Sequence, residues 1–151
     1  MYSINQKSIV KTKVLNTSAK QLWKKWTTHE GLLTFFGRDN KIELIPGGAF
    51  EIYFLMENEY GLRGSETCKV LSYLPNEMLS FSWNAPPSFL KIRNHPHKTW
   101  VVITFKPINE NQCEVKLTHL GWLDGDEWNK VFEYFENAWE IVLNRFEESI
   151  K

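Results

Sequence analysis

The sequence has few cysteines, no excess of charge of one sign and no long apolar run. Its 151 residues include two cysteines, and 18 basic side chains balance 18 acidic ones. Proteins that bind nucleic acids or anionic membranes usually cluster Lys and Arg, but the only adjacent basic pair here is Lys24-Lys25. No apolar run approaches the roughly 20 residues needed to cross a membrane. We therefore expect no nucleic-acid partner and no insertion into a membrane.

Cysteine content also bears on the cellular compartment. Cys68 and Cys113 both lie in strand-like runs, and two cysteines do not make a disulfide framework. The first seven residues lack the apolar core that a secretion signal needs. These features are typical of a protein from a reducing compartment. We therefore expect free thiols and a cytoplasmic location.

Aromatic residues, in contrast, are abundant, with 7 Trp, 10 Phe and 5 Tyr. Over residues 126–151 the apolar side chains recur at spacings of three and four, which places them on one face of a helix. This stripe consists of Trp128, Val131, Phe132, Phe135, Trp139, Val142, Leu143, Phe146 and Ile150. A helix with so bulky a face must lie against a large apolar surface, and a sheet formed by the rest of the chain would supply it.

The remainder of the chain is mostly strand-like. Strands are predicted at residues 7–15, 41–45, 49–56, 62–74, 78–83, 99–106 and 112–120. Two short helices are predicted after the first strand, one ending near residue 27 and one at 30–36. Consecutive strands with short connections favour an antiparallel sheet with the helices on one face. The sequence thus predicts an α+β fold that spans residues 1–151 as a single domain.

A set of short motifs runs in order along the whole chain. They are LWKKWTT at 22–28, PGGAF at 46–50, RGSE at 63–66, LSFSW at 79–83, THLGW at 118–122 and the closing helix with Trp139. Together they resemble the START-like (SRPBCC) superfamily, in the branch named after the homologue of the heat-shock protein 90 ATPase activator. The resemblance implies a helix-grip fold, in which a curved antiparallel sheet of about six or seven strands wraps around the C-terminal helix and encloses a cavity.

That resemblance does not imply a single activity, because relatives include ligand carriers, polyketide cyclases and aromatases, resistance proteins and co-chaperones. The residues that face the cavity must therefore be judged individually. In the strand 62–74, the polar alternation predicts that Arg63 and Ser65 point outward and that Glu66 points inward. In the strand 112–120, Leu117 and His119 are predicted to point inward.

Glu66 and His119 are then two titratable groups on an otherwise apolar face. A buried carboxylate should either find a partner or have its pKa raised by desolvation, and His119 is one possible partner. Such a pair in a cleft could perform acid–base catalysis. Alternatively, both groups are hydrogen-bonded structural residues, or they hold the polar end of a ligand.

Four aromatic residues and one arginine complete the predicted ligand site. Phe54, Trp83, Phe135 and Trp139 could form a cavity wall, or they could fill the core. Arg63 could lie at the rim and meet an anionic ligand, or it could be solvated. Residues 85–98 lack periodicity and contain three prolines, so they are predicted to be a mobile lid or rim.

Neither a metal nor a cofactor is predicted. His95 and His97 lie in a proline-rich loop without further ligands. Gly47-Gly48 is followed by a strand and lacks the Lys-Ser/Thr of a phosphate loop.

Three functions remain open at this point. The leading hypothesis is non-enzymatic binding of a small hydrophobic or aromatic ligand between the sheet and the C-terminal helix. The second is a polyketide cyclase/aromatase-like enzyme that uses Glu66 and His119. The third is a chaperone-associated interaction module of the stress response. The chain is expected to be a monomer or a weak homodimer.

Overall fold

The computed structural model describes residues 2–151, which form seven strands and four α-helices. In chain order they are β1 (Ile9–Leu15), α1 (Ala19–Thr27), α2 (His29–Leu33), β2 (Asp39–Ile42), β3 (Phe50–Tyr53), β4 (Val70–Leu74), β5 (Met78–Trp83), α3 (Leu90–Arg93), β6 (Thr99–Asn109), β7 (Gln112–Leu120) and α4 (Asp126–Ile150). A single 3₁₀ turn at Pro87–Phe89 precedes α3.

Two antiparallel sheets make up the β-structure. Five strands pair in the order β1-β7-β6-β5-β4, while β2 and β3 form a separate hairpin. Isolated bridges from Ala49 to Lys69 and from Tyr53 to Gly64 attach the region of the hairpin to the chain before β4. The seven strands agree in number with the expected six or seven, although they are divided between two sheets.

The long helix α4 lies on the concave face of the five-stranded sheet. Its buried side chains are Trp128, Val131, Phe135, Trp139, Leu143 and Phe146, as the aromatic stripe predicted. The buried side chains of β6 and β7, among them Val101 and Leu117, face the same core. A curved sheet closed by this helix is the helix-grip arrangement. None of the helices in residues 2–151 is both long and apolar enough to cross a membrane.

Helix α1 begins after Ser18 and ends at Thr27, where the sequence predicted its end. Ser18 is its N-cap, since the Ser18 Oγ accepts a hydrogen bond from the backbone N–H of Gln21 at 3.2 Å. This start directs Trp26 into the core, where it packs edge-on against Phe36 and Phe146. The helix therefore closes the end of the core where the last turns of α4 lie.

The prediction of one long strand over residues 62–74 is wrong, because the strand begins only at Val70. Residues before it form a compact turn in which Thr67 has a φ of 71°. Ser65 is 1% exposed rather than outward-facing, and its Oγ accepts a hydrogen bond from the Ile52 N–H at 2.8 Å. The alternation of polar side chains therefore predicted the wrong orientation for Ser65.

A related correction concerns residues 85–98, which are less irregular than predicted. They contain the 3₁₀ turn and α3, and Arg93 at the end of α3 is only 5% exposed. The Arg93 Nη1 donates hydrogen bonds to the carbonyl oxygens of Gly64 at 2.6 Å and Ala85 at 2.7 Å. These bonds attach the segment to the turn that precedes β4.

Trp139 should be a major source of stability. It is 1% exposed and its ring packs against Trp83 and Phe36. We expect Trp139→Ala to lower the free energy of unfolding by about 3–5 kcal/mol, because the change leaves a cavity in the core. Ile141→Ala, on the same helix at a site that is 48% exposed, is the control and should cost less than about 0.5 kcal/mol. Equal urea-denaturation midpoints for the two variants would contradict the assignment.

Candidate functional site

A cavity of about 220 Å³, open to solvent on one side, lies between the sheet and α4. Its wall is formed by Phe36, Phe54, Leu55, Arg63, Gly64, Ser65, Trp83, Asn84, Pro86, Pro87, Tyr134, Phe135, Ala138, Trp139 and Val142. Most of these side chains are apolar, so the cavity presents little that could hold a charged molecule except near Arg63.

Three large rings contact one another on this wall. The ring of Trp83 lies 5.3 Å from that of Trp139, and Phe36 lies 5.5 Å from Trp83 and 5.8 Å from Trp139, all between centroids. Each comes from a different element, because Trp83 ends β5, Trp139 is in the middle of α4 and Phe36 follows α2. The three rings brace one another, and this support gives the wall a fixed shape.

Helix α4 supplies a continuous strip of the wall. Phe135, Ala138, Trp139 and Val142 follow the spacing i, i+3, i+4, i+7, which places them on one helix face. The small side chain of Ala138 leaves space between its bulky neighbours. The same periodicity placed Val142 on this helix face together with Phe135 and Trp139, and it could also have identified Ala138.

Five of the eight residues predicted as ligand-binding line this cavity. They are Phe54, Arg63, Trp83, Phe135 and Trp139, whereas Glu66, Leu117 and His119 do not line it. Phe36 was missed because it lies in an irregular stretch after α2, where no periodicity shows its direction. Pro86 and Pro87 were recognised only as part of a rim segment.

Glu66 is buried behind the rim of the cavity. One carboxylate oxygen, Oε2, accepts hydrogen bonds from the backbone N–H groups of Gly61 and Arg63, the latter at 2.8 Å. The other, Oε1, accepts from the Gly64 N–H at 2.7 Å and from the Arg93 Nη2 at 3.2 Å. The partner of Glu66 is therefore Arg93. His119, which the sequence offered as one possible partner, does not pair with it.

The pKa of Glu66 is lowered, which contradicts the prediction of a raised pKa. Burial on its own raises the pKa, but hydrogen bonds from the amides of Arg63, Gly64 and Gly61 stabilise the ionised form and outweigh burial. A carboxylate that is held ionised by this many donors is poorly suited to accept a proton. In the structure, the Glu66 carboxylate holds the surrounding turn together through these hydrogen bonds.

His119 lies in the core and is fully buried. Its Nδ1 accepts a hydrogen bond from the Trp139 Nε1–H at 2.9 Å, so in the neutral ring Nε2 carries the proton and donates it to the Thr99 Oγ1 at 2.7 Å. The Thr99 hydroxyl in turn donates to the carbonyl oxygen of Trp83 at 3.3 Å. This chain of bonds connects the two tryptophans of the cavity wall through the core.

Desolvation lowers the pKa of His119 to about 3. The ring is therefore neutral at physiological pH, and both of its nitrogens are occupied. His119 fits the structural alternative that the sequence left open.

Few polar groups of the wall remain available. The Asn84 Oδ1 accepts from the Ala85 N–H at 2.9 Å and from the Lys98 Nζ at 3.3 Å. The indole N–H groups of Trp83 and Trp26 are both buried without a partner in the described part of the chain. Because Trp26 does not line the cavity, an unpaired indole is not in itself evidence for a ligand.

The pair His95 and His97 packs against aromatic rings. The centroid of Trp128 lies 5.3 Å from that of His95 and 5.9 Å from that of His97. The Nε2 of His97 is also hydrogen-bonded to the Gly121 carbonyl at 2.6 Å. Over residues 2–151 no group of three or more His, Cys, Asp or Glu side chains is arranged to hold a metal ion.

Replacing Glu66 should be costly at neutral pH and harmless in acid. A lowered folded-state pKa means that the carboxylate adds stability above its unfolded pKa and loses it as the pH falls through the folded value. We expect Glu66→Gln to cost about 3–5 kcal/mol at pH 7, because Arg93 keeps a buried and uncompensated charge. The difference from the wild type should shrink in acid. Glu110→Gln, at an exposed turn, is the control, and equal stability of the two variants at pH 7 would contradict this role.

His119 should stay neutral throughout the physiological range. Its folded pKa of about 3 lies below the ordinary 6.5, so the unfolded chain binds a proton that the folded protein does not. This proton uptake favours the unfolded chain, so the protein loses stability as the pH falls from about 6.5 toward 3, and His119 has no such effect above about pH 6.5. Two-dimensional NMR of the imidazole nitrogens should show the Nε2–H tautomer without titration between pH 5 and 8. A midpoint near 6.5 would refute the buried, neutral assignment.

Comparison with known proteins gives one family. The sequence model of the family described as Activator of Hsp90 ATPase homolog 1-like protein matches residues 16–151. The comparison with curated proteins found no match.

Solved structures show the same fold at low sequence identity. A protein of Mesorhizobium loti is similar with a TM-score of 0.72 and 18% identity, over 95% of this chain and 96% of that one. The Aha1 dimer of Colwellia psychrerythraea is similar with a TM-score of 0.72 and 16% identity, over 96% of each chain. CalU16 of Micromonospora echinospora has a TM-score of 0.71 and 16% identity, over 95% of this chain and 74% of that one.

At such identities these similarities concern the fold alone. The family match, in contrast, extends from α1 to the end of α4. The chain therefore belongs to the Activator of Hsp90 ATPase homolog 1-like family, within the START-like (SRPBCC) superfamily.

Proposed function

We propose that the protein binds a small apolar or aromatic molecule in this cavity and does not convert it. The observation that carries the proposal is a cavity of about 220 Å³ with a wall of braced aromatic rings. Apolar walls provide affinity by removing the ligand from water, and a few polar groups orient it. Phe54, Trp83, Phe135 and Trp139 would contact the ligand, with Arg63 at the rim.

The size of the cavity limits the ligand. Sites for drug-sized molecules usually measure about 300–1,000 Å³, whereas an apolar cavity of about 150 Å³ can hold benzene. A volume of about 220 Å³ therefore suits a molecule with one or two rings. A larger ligand would have to protrude through the open side.

The positions of Glu66 and His119 favour binding over the alternative of a cyclase or aromatase. Neither side chain lines the cavity, Glu66 is ionised and bonded to Arg93, and both nitrogens of His119 are occupied. A general acid or base must reach the proton that it transfers. In our proposal both residues support the wall from behind, as does Leu117 in the core.

A chaperone-associated role is the second candidate, and the description of the family, an activator of the Hsp90 ATPase, favours it. The stress-response role rests on the same description. We also propose that the chain forms a homodimer, since one structure of similar fold is a dimer. Val10 and Val14 on the edge strand β1 are each 49% exposed and could serve such contacts.

A cytoplasmic location is supported by Cys68 and Cys113, which are both free thiols.

Ligand binding can be tested with a variant that fills the cavity. We expect one- and two-ring aromatics to change the fluorescence of Trp83 and Trp139 in the wild type and to bind with about micromolar affinity, equivalent to about −8 kcal/mol. Ala138→Phe should abolish binding, because its ring would occupy the space beside Phe135 and Trp139. Ala138→Ser, which barely changes the volume, is the matched control and should still bind.

The outcomes separate the three functions. Mass analysis of the bound ligand should recover it unchanged. A chemically converted ligand, with conversion abolished by Glu66→Gln or His119→Ala, would establish the enzyme instead. If no aromatic binds to the wild type, the ligand-binding function is wrong and the interaction module remains.

A further inference from the structure

Arg63 is the only cationic residue on the wall of the cavity, and its guanidinium is incompletely used. Its Nε donates a hydrogen bond to the carbonyl oxygen of Asn58 at 2.8 Å, which fixes the orientation of the planar group. Within residues 2–151, its two terminal nitrogens have no protein partner, and none of the four ion pairs includes it. The side chain is half-buried at the rim.

The nearest acidic group along the chain, Glu66, does not neutralise this charge. The Oε2 of Glu66 accepts a hydrogen bond from the backbone N–H of Arg63 and not from its guanidinium, and the Oε1 is paired with Arg93. The positive charge of Arg93 and the negative charge of Glu66 therefore compensate each other. Arg63 is left as an uncompensated positive charge beside an apolar wall.

This arrangement is chemically selective. A guanidinium has donors in one plane that match the two oxygens of a carboxylate, and it is less strongly hydrated than an ammonium group. A half-buried cation that has already lost part of its hydration gains more from a counter-ion than an exposed one does. The site therefore combines an aromatic wall with an unused anion-binding fork at its mouth.

We infer that the ligand is a small aromatic carboxylic acid, whose ring contacts Trp83 and Trp139 and whose carboxylate pairs with the terminal nitrogens of Arg63. This inference rests on the proposed ligand-binding function and specifies the chemical class of the ligand. The volume of about 220 Å³ restricts the acid to one or two rings. The acid enters with its ring first and leaves its charged end at the open side, where water can still reach it.

A pair of ligands that differ only in charge tests the inference. Naphthoate is ionised at neutral pH, while naphthamide has the same shape and no charge. Calorimetric titration of the wild type should show that naphthoate binds about tenfold or more tightly than naphthamide, as expected for one charge-assisted pair. Its affinity should fall between about 0.01 M and about 1 M salt, where the Debye length shrinks from about 30 Å to about 3 Å, and that of naphthamide should not.

Two charge-removing variants assign the preference to Arg63. Arg63→Gln should weaken naphthoate binding by about tenfold or more and leave naphthamide binding unchanged. Arg38→Gln removes the same charge from an exposed residue that does not line the cavity, and it should retain the preference. Circular dichroism melts check that both variants are folded.

Each result is decisive. If the wild type binds naphthoate and naphthamide equally, or if Arg63→Gln keeps the preference, the inference is overturned while the ligand-binding function stands. If neither compound binds while other one- and two-ring aromatics do, the inference alone is overturned, and if no aromatic binds, the ligand-binding function fails with it. If Arg63→Gln does not fold, the wild-type preference and its salt dependence decide the matter without a variant.

Discussion

The buried pair of Glu66 and Arg93 is the interaction on which the rim of the cavity depends. Glu66 gathers the amides of residues 61, 63 and 64 around its carboxylate. Arg93 then bonds to Glu66 and to the carbonyls of Gly61, Gly64 and Ala85. Two segments far apart in the sequence are thereby held together, and each contributes residues to the cavity wall. Removing either member of this buried pair would leave the other charge buried and unpaired, so the rim depends on both residues together.

Below this rim, the cavity depends on aromatic packing. Rings from three separate elements brace one another, and the His119 hydrogen bonds connect Trp139 to the strand end that carries Trp83. The wall is thus held in place by contacts among large side chains and by one polar chain behind them. Such a wall can remain open because its rings are supported from the core, and they do not need a ligand between them to keep their positions.

Periodicity explains which parts of the structure could be predicted. The stripe of α4 and the alternation in β5, β6 and β7 report direction directly, because regular elements fix where each side chain points. The same rule failed at residues 62–69, where the Glu66 carboxylate organises a turn that looks like a strand in sequence. Arg93 was missed as its partner, because a contact between residues 27 positions apart leaves no local signal. Phe36 was missed for a similar reason, since it follows a short helix without regular spacing.

The attachment of residues 85–93 to the turn around Glu66 has a kinetic consequence. Because the two sides of the mouth are joined by the buried pair, neither can swing aside without breaking it. A ligand would therefore meet an entrance that is already formed. Its association would proceed at the usual rate for docking on a preformed site, about 10⁵–10⁷ M⁻¹s⁻¹ or faster. Residence time, set by the depth of aromatic contact, would then distinguish one ligand from another.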